Sequence, residues 1–207
     1  MSISASQVKE LREMSGVGMM ECKKALVETE GDLDKALDLL RANSSLKAEK
    51  KASRVAADGE VKIARNSEYS SLVEINSETD FAAKDSQFKD FAGEVAEYLI
   101  NNKVTGMDDL SSIFEEKRQS LIQSIGENIQ LRRLQTLDVP SGGCIGAYLH
   151  SDGKLAALVS IDTDNMELAK DLAMHVSATN PTCLQSEDID SELLERERSL
   201  FLAQAEE

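Results

Sequence analysis

Leu72-Val73-Glu74-Ile75-Asn76-Ser77-Glu78-Thr79-Asp80-Phe81-Ala82-Ala83-Lys84 decides the fold. Leu72, Val73 and Ile75 read as a buried strand, Asn76 to Asp80 is turn chemistry, and a helical pattern resumes at Ser86. Phe81 therefore stands on a strand-to-helix connection, in a chain with only 5 Phe, 3 Tyr and no Trp. Two readings compete for it. It is either a core aromatic folded under its own loop, as most aromatics are, or an exposed wedge flanked by Thr79 and Asp80 that enters another protein.

Upstream, Val61–Arg65 pairs with Tyr69–Asn76 as a hairpin turned by Asn66-Ser67-Glu68. Downstream, a helix over Ser86–Asn102 carries Phe88, Phe91, Ala92, Val95 and Leu99 on one face. A second helix, from about Asp108 to Ile125, carries Leu110, Ile113, Phe114, Leu121 and Ile122 and ends at Gly126. A strand with Ile129, Leu131, Leu134 and Leu137 closes this unit before the Pro140-Ser141-Gly142-Gly143 linker.

The same frame then recurs in part. Ala147–Asp162 matches Val61–Asn76, with Leu158-Val159-Ser160-Ile161 over Leu72-Val73-Glu74-Ile75 and a tighter turn at Ser151-Asp152-Gly153-Lys154. Leu172, Ala173 and Val176 fall where Phe91, Ala92 and Val95 fell, after a connection shortened by roughly five residues. What is shortened is the Thr79-Asp80-Phe81 loop; the second copy has Thr163-Asp164-Asn165-Met166 and no aromatic. The repeat thus favours the wedge reading. A charged helix over Glu192–Glu207 follows, and the counterpart of the first closing strand falls due beyond Glu207, so the chain reads as cut short.

The N-terminal segment, Ser6 to Ala42, reads as three short helices. Ser6 caps the first (Val8, Leu11, Met14), Gly16 and Gly18 break it, Cys22, Ala25 and Leu26 mark the second, and Asp32 caps the third (Leu33, Ala36, Leu37, Leu40). Val17, Met19 and Met20 lie in a glycine-bounded loop and either cap this small core or form an adaptable binding surface. Lys47, Lys50, Lys51 and Arg54 make a basic stretch that is either solvated or set against an acidic patch.

The formal net charge of −15 argues against a general nucleic-acid binder and suits a partner with a basic surface. No apolar run approaches the roughly 20 residues of a membrane helix, and the N-terminus lacks the build of a signal peptide, so a cytoplasmic protein is expected, with no membrane contact. Cys22, Cys144 and Cys183 are odd in number and widely spaced, which suits free thiols. Neither His150 nor His175 is accompanied by a nucleophile motif, a metal-ligand spacing or a glycine-rich phosphate loop; an enzyme, a cofactor and a resident metal are not expected.

Leu11-Arg12-Glu13-Met14-Ser15-Gly16-Val17-Gly18-Met19-Met20-Glu21-Cys22-Lys23-Lys24-Ala25-Leu26 and Glu74-Ile75-Asn76-Ser77-Glu78-Thr79-Asp80-Phe81 resemble the two signature motifs of the translation elongation factor Ts family. Ile125-Gly126-Glu127-Asn128-Ile129 and Ala173-Met174-His175-Val176 resemble further motifs of that family, and the likeness runs from Ser4 to the end. Ser15 stands where the family usually has Thr, and Ala82 where it usually has Val.

The resemblance implies an α+β fold: a three-helix module like the ubiquitin-associated fold (1–46), a basic linker (47–60), an N-terminal core subdomain with the tip loop (61–140), a related, incomplete C-terminal core subdomain (141–182) and the first helix of a coiled hairpin (183–207). It also implies a guanine nucleotide exchange factor that binds elongation factor Tu, GDP-bound or nucleotide-free. By position, Arg12, Met19, Met20 and Lys23 would dock the helical module on that partner, and Ile125, Gly126 and His150 would add contacts. Thr79, Asp80 and Phe81 would dislodge the Mg²⁺ that Tu holds beside its nucleotide. The main rival is a helical interaction module without exchange activity.

Overall fold

The computed structural model describes residues 3–206. Helix α1 (Ala5–Ser15) starts at Ser4, whose side chain accepts from Gln7 N while the Gln7 side chain accepts from Ser4 N. The expected cap, Ser6, lies inside the helix, because only Ser4 has a Gln three residues on that can reciprocate. Gly16 ends α1 in the left-handed region, at φ 68°. Helix α2 (Met19–Glu28) begins directly after Gly18, so Met19 and Met20 are its first turn and not part of a loop.

Helix α3 (Leu33–Lys51) is capped by Asp32 as expected, but it does not stop at Ala42. Its sequence holds no Gly or Pro and is rich in Leu, Lys and Ala, and its buried side continues through Ser44 and Ala48. Much of the basic stretch is therefore helical. Leu11, Val17, Cys22, Leu26, Ala36 and Leu40 form the core of the three helices.

Strands β1 (Asp58–Arg65), β2 (Tyr69–Ser77) and β3 (Ile129–Asp138) form an antiparallel sheet in the order β1-β2-β3. Between β2 and β3 run a one-turn helix α4 (Asp80–Lys84), α5 (Ser86–Asn101) and α6 (Met107–Ile125). Phe88, Val95, Leu99, Leu110 and Ile122 of the helices close over Val73 and Ile75 of the sheet, all fully buried. Each such side chain contributes about 1.5–3 kcal/mol of burial. Ala48 belongs to the same core, so α3 joins the helical module to the sheet unit.

The second unit has strands β4 (Cys144–Leu149) and β5 (Ala156–Ile161), a two-stranded sheet among the described residues, covered by α7 (Met166–Thr179). Its turn rests on the first sheet: Val61 N donates to Gly153 O at 2.7 Å, and Lys154 pairs with Asp58. A 3₁₀ turn (Ser186–Asp188) and helix α8 (Ser191–Glu206) follow. The architecture is α+β, with helices first, a strand-and-helix core and a final helix, as the sequence predicts. No helix of the described residues is long and apolar enough to cross a membrane.

Candidate functional site

Phe81 is 81% exposed. The chain turns out of β2 at Ser77, Thr79 caps the single turn of α4, and the buried Ala82 and Ala83 face the core, which leaves the ring of Phe81 in solvent. Asp80 beside it pairs with Lys84 at 2.6 Å. That hydrogen bond, opposed in part by burial and helped by the charges of Lys84 and, less, Lys154, holds the Asp80 carboxyl below the usual aspartate range, so it is ionised at neutral pH.

The loop does not stand alone. Both oxygens of Glu127 accept from Thr79, one from the backbone N–H at 2.9 Å and one from the hydroxyl at 2.7 Å. In the adjacent rung, Asn128 N donates to the Glu78 carboxylate at 2.6 Å. The 126–128 segment is in turn fastened to the end of α3: Lys51 donates to the carbonyl of Gly126, and the Asn128 side chain donates to Arg54 O at 2.8 Å. Burial, with the nearby Arg54 charge, pushes the Lys51 ammonium below the usual lysine range.

One residue before Ile125, Ser124 Oγ donates to Gly16 O at 2.7 Å, in the turn that leads into Met19. Lys47 pairs with Glu21, on the same turn of α2 as Met20. The basic stretch thus finds its acidic and carbonyl partners within the chain.

The residues singled out in the sequence fall into a linked set and one outlier. Met19 and Met20 are 49% and 78% exposed; Lys23, one turn on in α2, and Arg12, on α1, are exposed as well. Val17, from the same glycine-bounded stretch, is instead buried in the helical core. Ile125 and Gly126 lie between the Gly16 contact and the Thr79 brace, half-buried. His150, at the second hairpin turn, is exposed and donates from Nδ1 to Asp152 at 3.0 Å. It shares no hydrogen bond with the tip loop among the described residues; only the charge of Lys154 reaches Asp80.

Glu78, Glu127, Asn128, Lys51 and Ser124 were not expected as site residues. Three of them sit inside the motifs already quoted, and a carboxylate directly after a helix-ending glycine, Gly126-Glu127, was the available signal. No group of three or more His, Cys, Asp or Glu side chains is placed to hold a metal among the described residues. Cys22 and Cys144 are buried and Cys183 half-buried, all as free thiols.

Comparison with known proteins gives one family. Residues 78–207 match the family model described as "Elongation factor TS". A protein named "Elongation factor Ts" from Hahella chejuensis is 49% identical over 209 residues, covering 100% of this chain and 72% of that relative. One of the same name from Saccharophagus degradans is 49% identical over 207 residues, covering 99% and 71%, and one from Thioalkalivibrio sulfidiphilus is 43% identical over 215 residues, covering 100% and 73%.

Proposed function

We propose, since this chain belongs to the elongation factor Ts family and is a translation elongation factor, that it acts as the guanine nucleotide exchange factor of elongation factor Tu. It binds Tu carrying GDP, perturbs the Mg²⁺ and phosphate site there with Phe81, and promotes GDP release so that GTP can bind. The observation that carries the reading is Phe81 itself. Phe88, Phe91 and Phe114 are buried and Phe201 is exposed on the final helix; Phe81 differs from all four in being held out on a braced loop with the ionised Asp80 beside it. Exposure of one apolar side chain needs no explanation by itself; a ring fixed in place from beneath by Glu127 and Thr79 suits a surface that covers it.

A thousandfold faster release requires about 4 kcal/mol off the barrier. Burying one Phe contributes about 1.5–3 kcal/mol. Phe81 therefore acts with other contacts, which we assign to Met19 and Met20 with Arg12 and Lys23 around them, to Ile125 and Gly126, and to His150. Coupling is reciprocal: by the factor that the bound chain weakens GDP, bound GDP weakens the chain, which makes the factor recyclable. The chain works by protein binding, and the Mg²⁺ belongs to the partner.

The test follows release of a fluorescent GDP analogue from elongation factor Tu with and without this chain. Acceleration is expected. Release at the unassisted rate, with binding retained, would leave only an interaction module and overturn the proposal.

A further inference from the structure

Helix α4 is five residues long, too short to hold itself, because the first turn of a helix fixes many dihedrals for few hydrogen bonds. Its geometry, and so the direction in which Phe81 leaves the surface, depends on what fixes its cap. That cap is Thr79, and Thr79 is gripped from outside the loop. One oxygen of Glu127 holds its N–H and the other takes its hydroxyl proton. With the proton so directed, a lone pair of Thr79 Oγ1 is left facing Ala82 N, which it accepts at 3.3 Å. Both the backbone and the side-chain torsion of the cap are set by one carboxylate, through charge-assisted bonds that are stronger than neutral ones.

We infer that Glu127 is a positioning residue for Phe81. It rests on the exchange reading above. The carboxylate acts at a distance from the partner: it orders the turn that presents the ring, so that the cost of ordering it is met before the encounter rather than during it. The support behind Glu127 has the same character. The Glu78 to Asn128 rung lies beside it, and Lys51 and Asn128 tie the segment to α3, the helix whose basic side also holds Glu21 next to Met20. The tip loop and the exposed methionines are thereby referenced to one rigid element. In the second unit the connection from strand to helix has neither the extra turn nor a carboxylate brace; Asn165 caps α7 directly, accepting from Leu168 N.

The experiment compares the full chain with Glu127→Ala, Glu127→Gln, Phe81→Ala and the double variant Glu127→Ala/Phe81→Ala. Release of a fluorescent GDP analogue from Tu is measured at saturating chain, and amide hydrogen exchange is measured on the chain alone. Glu127→Ala should slow the saturated rate by about tenfold or more, as expected for losing a charge-assisted hydrogen bond. Glu127→Gln, which keeps one acceptor oxygen, should fall between it and the parent. The double variant should be little slower than Phe81→Ala, because a brace has nothing left to position.

In the chain alone, the amides of Ala82 and Ala83 should lose protection in Glu127→Ala while those of Val95 and Leu99 in α5 keep theirs. The inference is overturned if Glu127→Ala leaves both the rate and the Ala82 and Ala83 amides unchanged. It is equally overturned if all amides lose protection together, or if the Glu127 and Phe81 losses simply add. If the parent chain itself fails to speed release, the exchange reading falls, and the local hydrogen-exchange arm still decides whether Glu127 orders α4.

Discussion

The two strand-and-helix units of this chain solve one packing problem in opposite ways. In the first, α5 lies on its hairpin through bulk: Phe88, Phe91, Val95 and Leu99 fill the space, with Phe91 and Phe114 edge to face at 5.9 Å. In the second, α7 lies on β4 through lack of bulk. Its buried residues are Ala169 and Ala173, and Gly146 of β4 lets the backbone come so near that an added Cβ would sit 2.0 Å from Ala169 O. The first unit is stabilised by buried apolar volume and closed on one side by β3; the second gains its cohesion from close approach and from leaning on the first sheet through Gly153 and Lys154. Only the well-filled unit carries the elaborated tip. A strained or exposed addition such as Phe81 is tolerated where the frame beneath it has stability to spare.

The contrast breaks most directly at Phe88. Phe88→Ala removes a ring that is fully buried in the first core and should cost about 3–5 kcal/mol, read as a fall in the urea midpoint. A cost below about 1 kcal/mol would mean that bulk does not hold the first unit together. The matching test in the second unit is Gly146→Ala, which adds one methyl where only backbone faces it. Overpacking of this kind costs about 1–3 kcal/mol, more when backbone must move. Hydrogen exchange should show the loss confined to β4, β5 and α7, with α5 and α6 still protected. If the methyl is accommodated without cost, the close approach is not what holds α7.

Phe81→Ala tests the tip rather than either core. Being 81% exposed, Phe81 should change stability by no more than about 0.5 kcal/mol, yet its removal should slow nucleotide exchange by about ten- to a hundredfold, the rate equivalent of burying one ring in the partner. The same substitution seven positions apart thus separates a frame residue from a functional one. A large drop in melting temperature for Phe81→Ala would place the ring in the core in solution.

Much of this was legible in the residues. The hairpins, the helix face of α5 and the glycine stops at Gly16 and Gly126 follow from period and turn chemistry, which are local; on α6 the same pattern also counts Ile113 into the buried face, and it is 47% exposed. The repeat exposed Phe81 as an addition, because comparing two copies removes what both need for folding. What could not be read was anything that depends on which parts meet. The run to Lys51 in α3 was hidden because basic residues at that spacing suit a solvated helix as well as a tether, and only Gly126 and Glu21 across the fold decide it. Glu127 was quoted within a motif but had no visible role, since its partner is 48 residues away. Val17 was grouped with Met19 and Met20 by sequence alone; the turn at Gly18 sends it inward and them outward.

The smallest expected effect concerns two aspartates, one on the strand-to-helix tip of the first unit and one in the hairpin turn of the second. Asp80 and Asp152 are both held below the usual aspartate range, but for different reasons. For Asp80 the main cause is the Lys84 side chain; for Asp152 it is first the backbone N–H of Lys154 and then His150. A carboxyl whose folded value is depressed contributes stability that is present above its unfolded value, about 3.9, and is lost as pH falls through the lower folded value. Both therefore add to stability at neutral pH and give it up only in acid. Both groups are exposed, so the contribution is small and screened by salt.

Carboxyl-carbon NMR titration should place both midpoints below about 3.9. Lys84→Met should return Asp80 most of the way, with the charge of Lys154 holding it short of full recovery, and should leave Asp152 where it was. His150→Gln should move Asp152 only in part, because no side-chain substitution there removes a backbone N–H. If Lys84→Met moved both, the two turns would share one electrostatic environment and the second unit would be a working part of the tip. If it moved only Asp80, the tip and the second hairpin turn answer to separate local partners, Lys84 in the one and the Lys154 N–H with His150 in the other.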